Sequence, residues 1–512
     1  MPILSREVVQ AGAASPAVAL PPPALLDLPE KVLQFGTGVL LRGLPDFLID
    51  QANRQGLFNG RVVVVKSTGG GDATAFARQD GLYTVCVRGI EDERPVHENV
   101  VCAGLSRVLA ASSEWAEVLR VAASPDLQLI LSNTTEVGIV LDEADDVHAA
   151  PPRSFPGKLL AVLLARYEAF GGDASRGLVI VPTELVPDNG TKLRGILHEL
   201  AERQQLSAGF RAWLASANTV CNSLVDRIVP GHPDAATAAR LAQELGYTDE
   251  LLTMSEAYLL WAIEGDERVR QVLSFQPVHP GVIVQPDINQ FRELKLRLLN
   301  GTHSLACGLA VLAGVPTVRA AMDDASLATY IRHLMLADLL PGIPYPIDEK
   351  VGQRFGMQVL DRFRNPAVEH RWLAITLNYS AKLAMRVVPD LQHYYQRFGA
   401  VPQYVALGFA AYLLFMRGRR HDEASGAWYG EANGQEYLIQ DEQAGYFAAL
   451  WAAHPAAEVV LQALRNTRLW GTDLAALPGF AEAVLQYLLQ LLHTGAAATL
   501  ATALNKTQKA VV

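Results

Sequence analysis

The sequence predicts a chain in two parts, an α/β half built on a parallel sheet followed by a mostly α-helical half. Three observations carry this. Apolar runs recur at Val62–Val65, Leu127–Leu131 and Leu178–Val181, the pattern of strands covered on both faces in a parallel sheet. Helical segments separate them, which implies βαβ units. From about residue 291 onward the apolar residues fall at helical spacing instead.

Taken in order, residues 1–28 are rich in Ala and Pro, with Pro21-Pro22-Pro23. They read as an extension laid on the surface or left mobile. Lys31-Val-Leu-Gln-Phe35 is the first strand, running into Gly36-Thr37-Gly38, and a helix is expected from Leu40 to about Ala52. The α/β domain is placed at 29–290 and the helical domain at 291–512. Within the latter, helices are expected at 291–313, 324–339, 366–388, 402–418, 441–465 and 478–503, and no strand.

Composition narrows the function classes. Of 512 residues, 50% are hydrophobic and 19% charged, against about 25% charged in an average soluble protein. Disordered, collagen-like and disulfide-scaffold chains are excluded. The formal charge is −10, so nucleic acid and anionic membrane surfaces are not expected partners. Cys86, Cys102, Cys221 and Cys307 lie far apart with no CxxC pair. That spacing suits a reduced, cytoplasmic protein and no structural zinc. The N-terminus lacks the pattern of a signal peptide. The longest apolar stretch, Val405–Met416, falls well short of the ~20 residues a membrane span needs. A monomer or small homo-oligomer is expected.

Gly36-Thr37-Gly38 after the first strand suggests a Rossmann-type dinucleotide site. Such a site needs one glycine for a tight turn and another for close approach of a pyrophosphate to backbone N–H groups. Alone, GxG is also an ordinary strand-to-helix turn; its place after the first strand raises the functional reading. Phe35, Gly36, Thr37, Gly38 and Arg42 are the candidate cofactor residues here. An acid that accepts the ribose hydroxyls usually ends the second strand. This chain has Lys66 there, with Asp72 the nearest acid. Lys66 suits a 2′-phosphate, so spacing leaves NAD and NADP both open.

The most informative segment runs from Glu293 to Ala310 and carries Lys295, Asn300 and His303. On an α-helix advancing about 100° per residue, His303 falls near 80° and Asn300 near 140° from Lys295. Leu296, Leu299, Ala306, Cys307 and Ala310 share that arc. Singly, each polar residue has a bland reading: a core histidine, a locally bonded Asn, a Lys that snorkels to water. Together they suit metal-free proton transfer coupled to hydride transfer. A Lys in an apolar pocket is tuned toward neutrality, and an Asn amide donates to a developing alkoxide.

Lys295-x4-Asn300-x2-His303 resembles the signature of the mannitol dehydrogenase family of long-chain polyol and sugar-acid dehydrogenases. Further matching stretches are Gln34-Phe-Gly-Thr-Gly38, Gln79-Asp-Gly-Leu-Tyr83-Thr, Ser132-Asn-Thr-Thr-Glu136-x-Gly138, Asn189-Gly190, Leu224-Val-Asp226-Arg227 and Arg362-Phe-Arg-Asn365-Pro366. Pro182-x-Glu184-Leu185, Asn378 and Tyr437-x-x-Gln440-Asp441 are similar to the branch acting on tagaturonate and altronate.

The resemblance implies a Rossmann-type domain coupled to a helical domain, a nicotinamide cofactor (NAD, with NADP open) and a sugar-acid substrate. It implies Lys295 as general base, Asn300 and Asn189 as alkoxide-stabilising amides, and His303 as substrate-positioning. Asn133 and Thr134 are implied at the cofactor, and Glu136, Asp226, Arg371 and Lys382 at the substrate. Polyol enzymes carry an Arg eight residues before the position of Lys382, where this chain has Ala374. Seven Lys/Arg crowd residues 350–389, and Pro366 is expected to open an anion-binding helix there. Fructuronate reductase, a polyol 2-dehydrogenase and a non-catalytic dinucleotide sensor on the same fold are the alternatives.

Overall fold

In the computed structural model, which describes residues 1–67, 73–134, 137–367 and 369–510, the apolar runs pair into one six-stranded sheet. Its spatial order is Leu105–Ala110, Arg61–Lys66, Glu30–Phe35, Leu129–Ser132, Val179–Pro182, Thr219–Val220, with every pairing parallel. Val62 and Val64 enter one hydrophobic cluster and Val63 and Val65 another. Both faces are covered, which is why the strand has no polar alternation. The chain winds outward from Glu30–Phe35 in one direction and then the other. The order therefore reverses between Glu30–Phe35 and Leu129–Ser132, and the carboxyl ends there form the crevice where such sheets bind ligands.

The chain divides into two compact units, Met1–Gly89 with Arg94–Ile288, and Ile90–Glu93 with Asn289–Val512. In the first, the N-terminal extension is not a loose surface segment. Leu4, Val8, Val9, Leu25 and Leu26 are buried in a cluster with Leu82, Val101, Leu241, Leu245 and Tyr247. The Leu4 N–H donates to Thr248 O at 2.8 Å. The helix expected after the glycine turn is two helices, Val39–Gly43 and Pro45–Arg54. Leu44 breaks them at φ −128°, ψ −85°, because a proline drives the residue before it out of the α region.

The second unit is mainly helical but contains an antiparallel sheet of Arg420–Asp422, Ala427–Ala432 and Gln435–Ile439, contrary to expectation. Asn433 and Gly434 turn its second hairpin at φ +53° and +75°, the positive pair that Asn-Gly supplies most readily. The helix expected over 366–388 is also corrected. Helix Glu349–Phe363 ends before Pro366, and the next helices are Trp372–Ile375 and Tyr379–Arg386. Pro366 opens no helix. Lys295–Gly301 is a π-helix set between Asn289–Leu294 and Thr302–Leu312. Among the described residues, no helix is long and apolar enough to cross a membrane.

Candidate functional site

At the sheet reversal, Gly36 sits at φ +126°, and a Cβ there would lie 2.7 Å from Asn133 O. Only glycine permits this approach. The Asn133 N–H donates to Phe35 O at 3.0 Å, so the two strand ends are bonded across the crevice. Around Gly38 a Cβ would meet nothing within 4 Å. A tight glycine turn with open space beyond it, at this point of the sheet, fits a dinucleotide.

Two loops are joined beside that turn. Glu184 accepts from Thr134 N and Thr134 Oγ1, both at 2.9 Å, and from Ser132 Oγ at 3.0 Å. Asn133 Nδ2 donates to Thr183 O at 3.0 Å. Burial pushes the Glu184 carboxyl above its ordinary value, and these hydrogen bonds oppose the shift. Lys66, half-buried, ends the neighbouring strand. Glu136 and Asp72 lie outside the described residues.

Two expectations in this unit need correction. Arg42 is only 8% exposed and is committed internally. Nη1 donates to Thr37 O at 2.9 Å, Nε to Thr253 Oγ1 at 3.2 Å, and the guanidinium covers the Phe76 ring. It braces the glycine turn from within instead of facing a ligand. Asn189 is likewise engaged. Its Nδ2 faces Pro182 O, Glu184 O and Ser223 O at 3.0–3.2 Å, and its Oδ1 accepts from Gly190 N and Ser223 N. An amide has two hydrogens, and both are taken by backbone carbonyls. Asn189 ties the loop after Val179–Pro182 to strand Ser223–Asp226 and has no donor left for an alkoxide. Asp226 is buried at the end of that strand. Arg227 beside it is buried as well and donates to Glu256 O and Gly43 O.

In the second unit the π-helix changes the geometry of the polar segment. A π-helix bonds i to i+5, so residues five apart stack along its face as i and i+4 do in an α-helix. Lys295 and Asn300 are five apart, and Asn300 and His303 are three apart at the return to α-helix. The wide separation of a uniform α-helix is thereby closed. Arg297 secures the turn, with Nε 2.9 Å from Glu293 Oε2 and Nη1 donating to Met385 O at 2.8 Å.

Lys295 and Asn300 are half-buried, while His303 is 8% exposed. The His303 ring stacks on Phe363, centroids 4.5 Å apart, with His370 and Trp372 edge-on at 5.1 and 5.9 Å. Its Nε2 is buried without a hydrogen-bond partner. Burial, then the charges of His370, Arg362, Arg386 and Lys382, holds the imidazole well below its ordinary pKa. His303 is a neutral ring at pH 7.

Helix Tyr379–Arg386 brings two cations to this face. Lys382 Nζ donates to Ile375 O at 3.0 Å, and Arg386 Nη1 donates to Ser304 Oγ at 3.1 Å. Burial lowers the pKa of both, and Arg386 adds to the shift of Lys382. Three features place the helix. The Gly308 N–H donates to Tyr379 Oη at 3.2 Å, where a Cβ on Gly308 would lie 2.7 Å from that oxygen. Asn378, at φ +54°, donates its N–H to Gln440 O, and Asp441 accepts from Ser380 N and Oγ. The Gln440-Asp441 motif thus acts by fixing the helix that carries Lys382.

Arg371 does not join this cluster. Its side chain is 72% exposed and pairs with Glu369 at 2.9 Å, a surface contact contributing under ~1 kcal/mol. His370, its neighbour, points to His303 instead. His370 is the residue sequence reasoning passed over; Arg386 stood there only as one of the seven Lys/Arg of residues 350–389, and what singles it out is its spacing of one helical turn from Lys382. Among the described residues, no three His, Cys, Asp or Glu side chains are grouped to hold a metal ion.

Comparison with known proteins agrees with this architecture. Residues 30–276 match the mannitol dehydrogenase Rossmann domain and 287–492 the mannitol dehydrogenase C-terminal domain. An altronate oxidoreductase of Bacillus subtilis is 37% identical over 90% of this chain and 92% of its own. One from Halalkalibacterium halodurans is 40% identical over 88% of each. Among solved structures, Pseudomonas fluorescens mannitol 2-dehydrogenase, in ternary complex with NAD and D-mannitol, superposes with TM-score 0.63 at 24% identity. The match covers 98% of this chain and 99% of that one. A D-sorbitol dehydrogenase gives 0.75 at 20% identity, over 97% and 100%. With both domain models matched in order, and these relatives alike over most of their length, the chain belongs to the mannitol dehydrogenase family.

Proposed function

We propose that this chain is a nicotinamide-dinucleotide-dependent oxidoreductase that interconverts D-tagaturonate and D-altronate. The observation that carries the sugar-acid reading is the pair Lys382 and Arg386. Both are partly buried beside His303 and Ser304, and neither has an ion-pair partner among the described residues. Two desolvated like charges one turn apart are unfavourable alone, and a carboxylate-bearing substrate answers both. The name shared by relatives at 37–40% identity supports the same substrate.

The dinucleotide, when bound at the Gly36 turn, supplies or accepts the hydride. In the direction of reduction, Lys295 delivers a proton to the oxygen that the hydride transfer leaves charged. Asn300, whose side chain makes no hydrogen bond among the described residues, donates to that oxygen as charge develops. Neutral His303 offers one ring nitrogen to orient a substrate hydroxyl without competing for the proton. Family resemblance favours NAD, whereas the charge of Lys66 favours NADP; we propose NAD.

The test is absorbance at 340 nm with pure protein, NADH or NADPH, and a panel of keto-sugar acids and ketoses. D-Tagaturonate reduced faster with NADH is the expected result. Preference for D-fructuronate or D-fructose would move the substrate assignment, and a higher kcat/KM with NADPH would move the cofactor. Binding of NADH without turnover of any ketone would make the protein a sensor.

A further inference from the structure

We propose that Arg386 determines specificity for sugar acids by receiving the substrate carboxylate, with Lys382 one turn before it. The inference rests on the sugar-acid reading and assigns it to a residue.

Arg386 is attached to the reacting centre through its own side chain. Its Nη1 donates to Ser304 Oγ at 3.1 Å and approaches Asn300 O at 3.4 Å, while Ser304 Oγ donates to that same carbonyl at 2.9 Å. The guanidinium therefore lies against the backbone of the residue assigned to the alkoxide. Its Nε is buried with no hydrogen-bond partner, an unfavourable state for a charged donor. No carboxylate pairs with Arg386 or Lys382 among the described residues, in a chain that carries ten more acids than bases. Three other arginines of this unit behave otherwise. Arg371 pairs with Glu369, Arg364 with Asp361, and Arg297 with Glu293 and Asp390.

A planar guanidinium offers two parallel N–H groups to a carboxylate, a geometry that a hydroxymethyl group cannot use. Anchored at Ser304, Arg386 would fix the acid end of the substrate relative to Asn300 and His303. The uncharged polyol, with the same carbon chain, loses this contact.

The experiment compares wild type with Arg386→Gln and Arg386→Lys. Gln retains a donor for Ser304 without the charge, and Lys retains the charge without the fork. The readout is the ratio of kcat/KM for D-altronate over D-altritol, with calorimetric binding of D-altronate in the presence of NAD+ alongside. Arg386→Gln is expected to lower the ratio at least about tenfold, chiefly through KM for the acid, with Arg386→Lys intermediate. Equal losses on acid and polyol, leaving the ratio unchanged, would make Arg386 a brace for Asn300 and overturn the proposal. Should wild type fail to oxidise D-altronate, the functional reading fails and calorimetry decides for Arg386. Hexonate binding weakened at least tenfold in Arg386→Gln supports the assignment; equal binding, or none to wild type, overturns it.

Discussion

His303 lies face to face with Phe363, ring centroids 4.5 Å apart and 18° from parallel, with its Nε2 shut away from water. A ring held this way resists protonation. Its folded pKa lies well below 6.5, so the unfolded chain binds that proton first as pH falls. Stability from this residue is full above about 6.5 and declines below it, by about 1.4 kcal/mol per pH unit. Compared with His303→Gln, wild type is expected to lose melting temperature faster between pH 6.5 and 5. Parallel melting curves for the two proteins would show the ring titrating normally.

Lys295 is expected to dominate turnover. Lys295→Ala should lower kcat at least ~10²-fold, the low end for losing a general acid/base, while the Kd for NADH, read by fluorescence quenching, stays within twofold. The residual and wild-type activities should both be indifferent to a chelator. Near-normal turnover in the variant removes Lys295 from the chemistry, and loss to a chelator reversed by zinc brings in a metal.

Glu184 is expected to act on the cofactor side without touching the reaction. Glu184→Ala leaves Ser132 Oγ, Thr134 N and Thr134 Oγ1 without their acceptor, a loss of about 1–3 kcal/mol in stability. The loop Ser132–Thr134 should then loosen, raising KM for the dinucleotide several-fold more than KM for the sugar acid. An equal rise in both would place Glu184 outside cofactor positioning.

Asp338 gives a pH dependence of opposite sign. It accepts from Tyr404 N and Val405 N at 2.7 and 3.0 Å, and burial pushes its carboxyl up to about 7. The folded state therefore favours the protonated acid. That contribution is complete below about 3.8 and is lost as pH rises to about 7. Asp338→Asn keeps an acceptor and removes the titration. Its melting temperature should gain on wild type steadily from pH 4 to 7, and a constant difference would contradict the burial of the charge.

Four of the six parallel strands were legible because burial on both faces leaves short aliphatic runs, rich in β-branched residues; Leu105–Ala110 and Thr219–Val220, at the sheet edges, carry no such run. Val62–Val65 was read directly, and the strand is Arg61–Lys66. Proline was legible as a residue but not in its effect. Pro45 restarts a helix after a break at Leu44, whereas Pro366 follows the end of one, and local sequence does not separate those cases. The hairpin at Asn433-Gly434 had its turn signal in view, masked by helical segments on either side. Lys295, Asn300 and His303 were recognisable by spacing, yet the π-helix that aligns them depends on how residue 297 is held by neighbours far along the chain. Asn189 shows the converse: the family resemblance assigns it a chemical role, and only the carbonyls around it reveal that its amide is occupied.

The buried N-terminal segment sets an order of events during synthesis. Leu4 and its apolar neighbours leave the ribosome well before their partners Leu241, Leu245, Tyr247, Thr248 and Leu252. At about 5–20 residues per second, the wait is on the order of 10–50 s. Throughout it, the segment can meet only the earlier part of its cluster, around Leu82 and Val101, and part of its apolar surface stays open to chaperones. Substitution of Leu4 or Val8 by a polar residue therefore acts on the closing step of this unit's folding.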